Sequence, residues 1–232
     1  VARKTTGFGI GGASAAMIDD RERVRIDKKL CEFGISRYTL SNSGEVDVFE
    51  RVQSPSSVSS LGVRFRTVYD SFIVEGDRVP ICQLGREVQY VNSHMIESLK
   101  GAPTHVTSDF ICKYSHLTSL EYSPKTVGGS VILRELGIKS LDFMPRDVGG
   151  YFFAEDTGIA SLHNFHVSNS DVKIGGVLRL PLHCTHLLSL AFVPGIDRVS
   201  FQLDRSVINV IHDIFDWQEK LLDLGLVEQA QL

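Results

Sequence analysis

Apolar and polar positions alternate along the middle of the chain in a motif that returns at a fixed spacing. Ile96-Glu97-Ser98-Leu99, Leu117-Thr118-Ser119-Leu120, Ile138-Lys139-Ser140-Leu141 and Ile159-Ala160-Ser161-Leu162 begin 21 residues apart, and Leu187-Leu188-Ser189-Leu190 follows 28 residues after the fourth. Self-similarity at a fixed period marks an array in which each unit completes its core from its neighbours. Other positions recur in phase. Proline stands at offset 7 (Pro103, Pro124, Pro145), valine at offset 10 (Val106, Val127, Val148) and a large apolar residue at offset 14 (Phe110, Val131, Phe152). The same offsets from Val58 give Leu61, Phe65, Val68 and Phe72, which predicts a degenerate unit there. A shortened unit between Val79 and Met95 completes an array of about seven.

Each unit is too short to hold a full helix. The apolar residues at offsets 0 and 3 are expected to lead into a short strand, with the proline setting a turn because it cannot sit in a central strand. Valine then returns to the core. The pairs Gly128-Gly129 and Gly149-Gly150 are expected to bend the chain with positive φ, before a second strand such as Ser130-Val131-Ile132-Leu133 or Tyr151-Phe152-Phe153. The fold class this predicts is mainly β: a short-repeat, leucine-rich-like β-solenoid with like side chains in ladders about 4.8 Å apart. The unit from Ile159 breaks the pattern. His166 takes the proline position, and the glycine pair moves to Gly175-Gly176, an insertion that marks Ile159 to His186 as the first place to look for function.

The flanks read differently. Residues 1–18 form an extended glycine-rich arm without periodicity; Gly7, Gly9 and Gly12 fit G-x-G-x-x-G, but no strand precedes them, so the match is weak. A short helix is predicted from Asp19 to Phe33, stopped by Gly34. Ile35 to Val52 reads as a hairpin turning at Ser41-Asn42-Ser43-Gly44, so residues 19–57 form an N-terminal helix and β-hairpin cap. The solenoid occupies 58–205, and residues 206–232 form a C-terminal helix cap with Ser206 as its N-cap. That helix carries Val207, Val210, Ile211, Ile214, Phe215, Leu221, Leu222 and Leu224 on a broad apolar face, with Trp217 the single tryptophan.

The 232 residues are 43% hydrophobic and 22% charged, with a net charge of -4 that argues against nucleic-acid binding through bulk charge. No apolar run approaches the roughly 20 residues of a spanning helix, and the start lacks the apolar core of a signal peptide. A protein made and kept inside a cell, with no membrane partner, is expected. The four cysteines, Cys31, Cys82, Cys112 and Cys184, are widely separated and suit structural free thiols. Two H-x-x-H pairs, His163/His166 and His183/His186, flank the insertion with Cys184 beside the second, and together they would suit a transition metal if the chain gathered them. Glu155-Asp156 is a carboxylate pair, but neighbours on a strand face opposite sides. Without any recognised catalytic motif, the expectation is no catalytic residue, no metal and no cofactor. The aromatic residues Tyr114, Tyr122, Phe143, Tyr151 and Phe153 vary between units and are expected to form a partly exposed patch suited to protein contacts.

Several segments resemble a family of small tailed-bacteriophage proteins with tandem leucine-rich-like units of the form LTSLEGAP-x-x-VGG-x-F. Leu117-Thr118-Ser119-Leu120-Glu121-Tyr122-Ser123-Pro124-Lys125-Thr126-Val127-Gly128-Gly129 is similar to that unit, as are Ser98-Leu99-Lys100-Gly101-Ala102-Pro103 and Phe110-Ile111-Cys112. Gly34-Ile35-Ser36-Arg37-Tyr38-Thr39-Leu40 with Gly44-Glu45-Val46-Asp47-Val48 resembles the family's opening hairpin. Gln218-Glu219-Lys220-Leu221, Gly225-Leu226 and Ala230 resemble its closing helix. The resemblance covers residues 34–232. With the residue pattern it implies a non-catalytic protein–protein interaction module, a phage structural or accessory component of a larger assembly anchored by its N-terminal arm. The alternative is a soluble early protein that binds and inhibits a host factor. The expected location is the virion or the host cytoplasm.

Overall fold

The computed structural model describes residues 17–54, 62–75, 78–84, 87–92, 96–201 and 206–231. Helix α1 (Asp20–Glu32) begins where the Asp19 carboxylate accepts the Glu22 N–H at 2.7 Å. It ends in a left-handed Gly34, with Ile35 N–H donating back to Leu30 O at 2.8 Å. Its buried face, Ile26 and Leu30, packs on the core. Next come β1 (Tyr38–Leu40) and β2 (Glu45–Val48), the predicted hairpin, then β3 (Val52–Ser54), β4 (Arg64–Val68) and β5 (Phe72–Glu75). β6 (Arg78–Leu84) and β7 (Glu87–Asn92) precede the regular region. That region holds β8 (His105–Val106), β9 (Phe110–Lys113), β10 (Thr126–Val127), β11 (Val131–Leu136), β12 (Asp147–Val148) and β13 (Phe152–Thr157). The chain finishes with helix α2 (Phe165–Asn169), β14 (Lys173–Ile174), β15 (Leu178–Leu180), a 3-10 turn (Leu187–Phe192), β16 (Arg198–Phe201), β17 (Val207–Asn209) and helix α3 (Ile214–Asp223).

The protein is mainly β, with two mixed sheets. The first runs β1-β2-β4-β8-β10-β12-β14 and the second β17-β16-β15-β13-β11-β9-β5-β3. All pairs in both are parallel except the outermost β1–β2 and β16–β17. Register follows the sequence period: Val106, Val127 and Val148 are direct partners in the first sheet, as are Phe110, Val131 and Phe152 in the second. The inward faces bury these ladders completely or nearly so, and one continuous core runs from Ile26 to Ala230. Phe72 stacks on Phe110 at 6.2 Å between ring centres within it.

Four expectations need correction. The segment from 79 to 95 is not a shortened unit. β6 and β7 pair antiparallel as a separate hairpin, and β5 pairs directly with β9, so the stack closes over the excursion. The residues at offsets 0 to 3 lead into no strand before the proline. Ser98, Ser119, Ser140 and Ser161 each accept the N–H two residues on, at 3.1, 3.0, 3.3 and 3.0 Å. A serine that bonds its own backbone competes with a β ladder and makes a turn. The two strands of a unit therefore lie later, at offset 9 and from offset 14. The glycine pairs are not left-handed; what requires them is the close stacking of neighbouring backbones. A β-carbon on Gly128 would overlap Thr107 O, one on Gly149 would overlap Gly128 O, and one on Gly175 would overlap Gly149 O. Finally, residues 206–213 are not helical. Val207 to Val210 alternates exposed and buried, and the β-branched run pairs as β17. The helix starts only where the Asp213 carboxylate accepts the N–H groups of Phe215 and Asp216 at 3.0 and 3.2 Å. The boundary proposed at 57/58 lies among undescribed residues, yet β2 and β3 already pair with β4 and β5, so the hairpin begins the stack as well as covering it.

The left-handed positions fall elsewhere. In each unit the leucine carbonyl at offset 3 accepts the N–H three residues later: Ala102 to Leu99 at 2.8 Å, Ser123 to Leu120 at 2.9 Å, Met144 to Leu141 at 3.2 Å and Phe165 to Leu162 at 2.9 Å. The third residue of each turn is left-handed: Gly101, Tyr122, Phe143 and Asn164, with φ of 95°, 68°, 63° and 57°. This is the pattern of a type II turn, which calls for glycine or asparagine there. Tyrosine and phenylalanine in that conformation cost about 1–2 kcal/mol each.

One ion pair near the start ties the first two units together. Asp47, 6% exposed, accepts Arg66 Nε at 2.9 Å, and Arg66 Nη2 bonds its second oxygen. The guanidinium hydrogen bond holds the Asp47 carboxyl below the usual carboxylate range. A carboxyl depressed on folding stabilises the protein above its unfolded pKa of about 3.9 and loses that contribution as pH falls through the lower folded value. In urea titrations between pH 7 and pH 2, Asp47→Asn is expected to lower the midpoint at pH 7 and to flatten the acid limb relative to wild type. An unchanged acid limb would show that Asp47 carries none of it. Half of Arg66 is exposed, so the loss should stay near 1 kcal/mol.

Candidate interaction surface

The irregular unit carries four histidines, and the structure brings two of them together and sets the other two apart. The five extra residues form α2 and lengthen the spacing between strand partners from 21 to 26: Val148 pairs with Ile174 and Phe152 with Leu178. The predicted fifth motif is out of phase. Sequence alignment places Ser189 opposite Ser161, whereas the bridge across is to Thr185, and Ser189 is buried in the 3-10 turn. Cys184 and Leu187, both fully buried, supply the apolar spacing of three at that level.

Two of the four histidines come together. The His163 and His186 rings meet edge to face with centres 5.3 Å apart. His186 Nδ1 lies 2.9 Å from Ser161 Oγ and 2.8 Å from Thr185 Oγ1, which fixes the ring against two hydroxyls. His166 packs instead on Phe192 at 4.9 Å, and His183 is exposed. Among the described residues, no group of three or more His, Cys, Asp or Glu side chains is placed to hold a metal ion. Glu155 and Asp156 do not act as a pair: Glu155 lies 3.8 Å from Arg179, and Asp156 is the register partner of Arg134. The Gly7-Gly9-Gly12 motif lies outside the described residues.

Burial pushes the Cys112 and Cys184 thiols up to about 12. Cys112 sits in an apolar ladder between Val74 and Leu133, while Cys31 is exposed on α1. Since the thiolate is the reactive form, alkylation of the native protein at pH 8 is expected to label Cys31 and spare Cys112 and Cys184. Peptide mapping by mass spectrometry reads this directly. Rapid labelling of Cys112 would contradict the inward ladder. Cys82 falls where side chains are not described.

The varied aromatic residues take the surface. Phe143, Tyr122 and Tyr151 are 60%, 51% and 44% exposed. Tyr151 stacks on the half-buried Phe153 at 5.5 Å, and the Arg179 guanidinium lies over the Phe153 ring at 5.1 Å. Tyr114 is half-buried beneath Lys113, whose ammonium is 5.6 Å from the ring centre. Tyr122 and Phe143 border a groove of about 440 Å³ with Pro124 and Met144 in its floor.

A second apolar surface lies at the C-terminal end. Phe215, Val227, Val207, Leu222, Leu224 and Phe192 are all more than 45% exposed. Val207, Ile211, Leu224 and Leu226 line a groove of about 550 Å³ between β17 and α3. The sequence pattern placed Val207, Ile211, Phe215, Leu222 and Leu224 on one broad apolar helix face. The strand-then-helix arrangement turns much of that apolar surface outward.

Among the described residues no helix is long and apolar enough to cross a membrane. Comparison of the chain with known protein families, with curated proteins and with solved structures finds no match.

Proposed function

We propose that the chain is a leucine-rich-like β-solenoid of about 21-residue units that serves as a non-catalytic protein–protein interaction module. The observation that carries this reading is the apolar C-terminal end. A terminal unit that faces water needs a polar outer surface, whereas here Phe215 is 77% and Val227 61% exposed beside the β17–α3 groove. Exposed apolar patches rimmed by polar residues mark contact sites. Parallel register at 21-residue steps supports the solenoid. The serine hydroxyls repeated along it cap turns.

Within that reading the protein is a phage-encoded structural or accessory component of a larger assembly, anchored by its N-terminal arm and located in the virion. The test is chemical cross-linking with mass spectrometry of purified particles. Recovery at a fixed copy number, with cross-links from the C-terminal end to a second protein, is expected. Absence from particles, with recovery from host cytoplasm bound to a host factor, would replace this role with inhibition of that factor. A chain that stays monomeric and uncross-linked in both settings would overturn the interaction reading.

A further inference from the structure

The turns that join successive units point to a defined binding groove. The type II turn of each unit requires a left-handed residue at its third position, and Gly101 and Asn164 meet that requirement with the residue types suited to it. Tyr122 and Phe143 do not, and packing does not compensate, since their side chains are 51% and 60% exposed. Bulky residues held in a disfavoured conformation without burial indicate a role outside the fold.

Their surroundings give that role a shape. The two rings border the groove whose floor holds Pro124 and the buried Met144. Ser123 Oγ donates to Phe143 O at 2.6 Å, locking one turn to the next and fixing the backbone beneath both rings. The charged residues lining the groove, Lys125 and Arg146, are both cations. Arg146 is partly neutralised, with Nη1 donating to Asp171 Oδ1 and to Ser168 O, each at 2.7 Å. Among the described residues Lys125 has no ion-pair partner, and it supplies the uncompensated positive charge.

We propose that this groove binds an acidic peptide segment of a protein partner, with an apolar or aromatic side chain of that segment seated between Tyr122 and Phe143 and its carboxylates at Lys125. The proposal rests on the protein-interaction reading above and names a site within it. Charge complementarity selects the occupant: a groove edged only by cations suits a carboxylate-bearing chain, and an aromatic-walled cleft suits an apolar anchor. A nucleic acid strand would need a longer row of cations and would meet a protein of net charge -4.

The test uses the full chain and the double variant Tyr122→Asn/Phe143→Asn, which installs the residue that position 164 already carries. Its urea midpoint is expected to equal or exceed that of wild type. A lower midpoint would make the rings structural and overturn the proposal. Panning of a random displayed peptide library on the wild-type chain is expected to enrich peptides with Asp or Glu flanking an aromatic residue. Fluorescence anisotropy of a selected peptide should then show at least tenfold weaker binding to the double variant and to Lys125→Glu. Selected peptides that bind wild type and double variant alike, or no enrichment, would overturn the site. So would a labelled oligo-dT strand that binds wild type and loses binding in the double variant. If the protein still cross-links to a partner in particles while panning fails, the interaction reading stands and this groove is not its site.

Discussion

Gly149→Ala is expected to destabilise the protein by about 3 kcal/mol or more, the upper range for overpacking a closely packed site. The added β-carbon would fall on the Gly128 carbonyl oxygen, a backbone atom that cannot swing aside like the end of a side chain. The strands on either side are held at hydrogen-bonding distance, with Gly149 N–H donating to Val127 O at 2.9 Å and Gly175 N–H to Val148 O at 2.8 Å. Relief requires parting two layers of a parallel ladder. Gly158→Ala is the comparison: its β-carbon would sit 3.1 Å from Ile138 O, tight but tolerable after a small shift, so it should cost much less. Urea unfolding of both variants measures the difference. A Gly149→Ala protein within 1 kcal/mol of wild type would show that the layers do not stack this closely.

Trp217→Ala is expected to cost about 3–5 kcal/mol, as for other large aromatic truncations in cores. The indole is fully buried, and its Nε1 donates to Leu187 O at 2.9 Å, so truncation leaves both a cavity and an unpaired carbonyl. The same contact fastens α3 to the 3-10 turn. The tail is fastened there too, by Leu187 N–H donating to Gln229 O at 2.9 Å and Gln229 Nε2 to Leu182 O at 3.1 Å. Hydrogen exchange should therefore show protection lost first in β16 and β17, with β8 to β13 keeping theirs. Uniform loss along the chain would mean that the C-terminal cap is not a separate unit of stability. Trp217→Phe, which keeps most of the volume and loses the hydrogen bond, should fall between, near 1–2 kcal/mol. Trp217 is the single tryptophan, so wild-type unfolding can be followed by its emission as the buried indole reaches water.

Much of the architecture is legible in the period of 21. Spacing alone places Val106, Val127 and Val148 in one ladder and Phe110, Val131 and Phe152 in another, and both are register partners. The spacing reads well because like residues recur only where stacked layers meet like neighbours. The hairpin of 38–48 and the helix at Asp20 are legible for local reasons: a turn sequence between alternating residues, and a side chain that caps an N–H. The segment from 78 to 92 misleads because apolar alternation is the same for a strand inside a parallel stack and for one arm of an excluded hairpin. Val207 to Ile211 misleads in the same way, since apolar residues at 207, 210 and 211 satisfy a helical period while their β-branching and their partner β16 decide for a strand.

Of the candidate site residues, the sequence marked Tyr122 and Phe143 only as variable aromatics, and their combination of left-handed backbone with high exposure came from φ values and burial no spacing reveals. His163, His166, His183 and His186 were conspicuous by type and spacing, yet only His163 and His186 meet, because α2 turns His166 toward Phe192.

By itself the sequence determined the mainly β character, the 21-residue register, the inward ladders and the position of the irregular unit. All of these follow from the hydrophobic period and from turn residues that act within a few positions. Only the tertiary structure decided why the glycine pairs are needed, which turn position is left-handed, where the stack skips over a hairpin, and which of the C-terminal apolar residues face outward. The physical reason is that these depend on which backbones and side chains meet in space, and a one-dimensional pattern does not contain those distances.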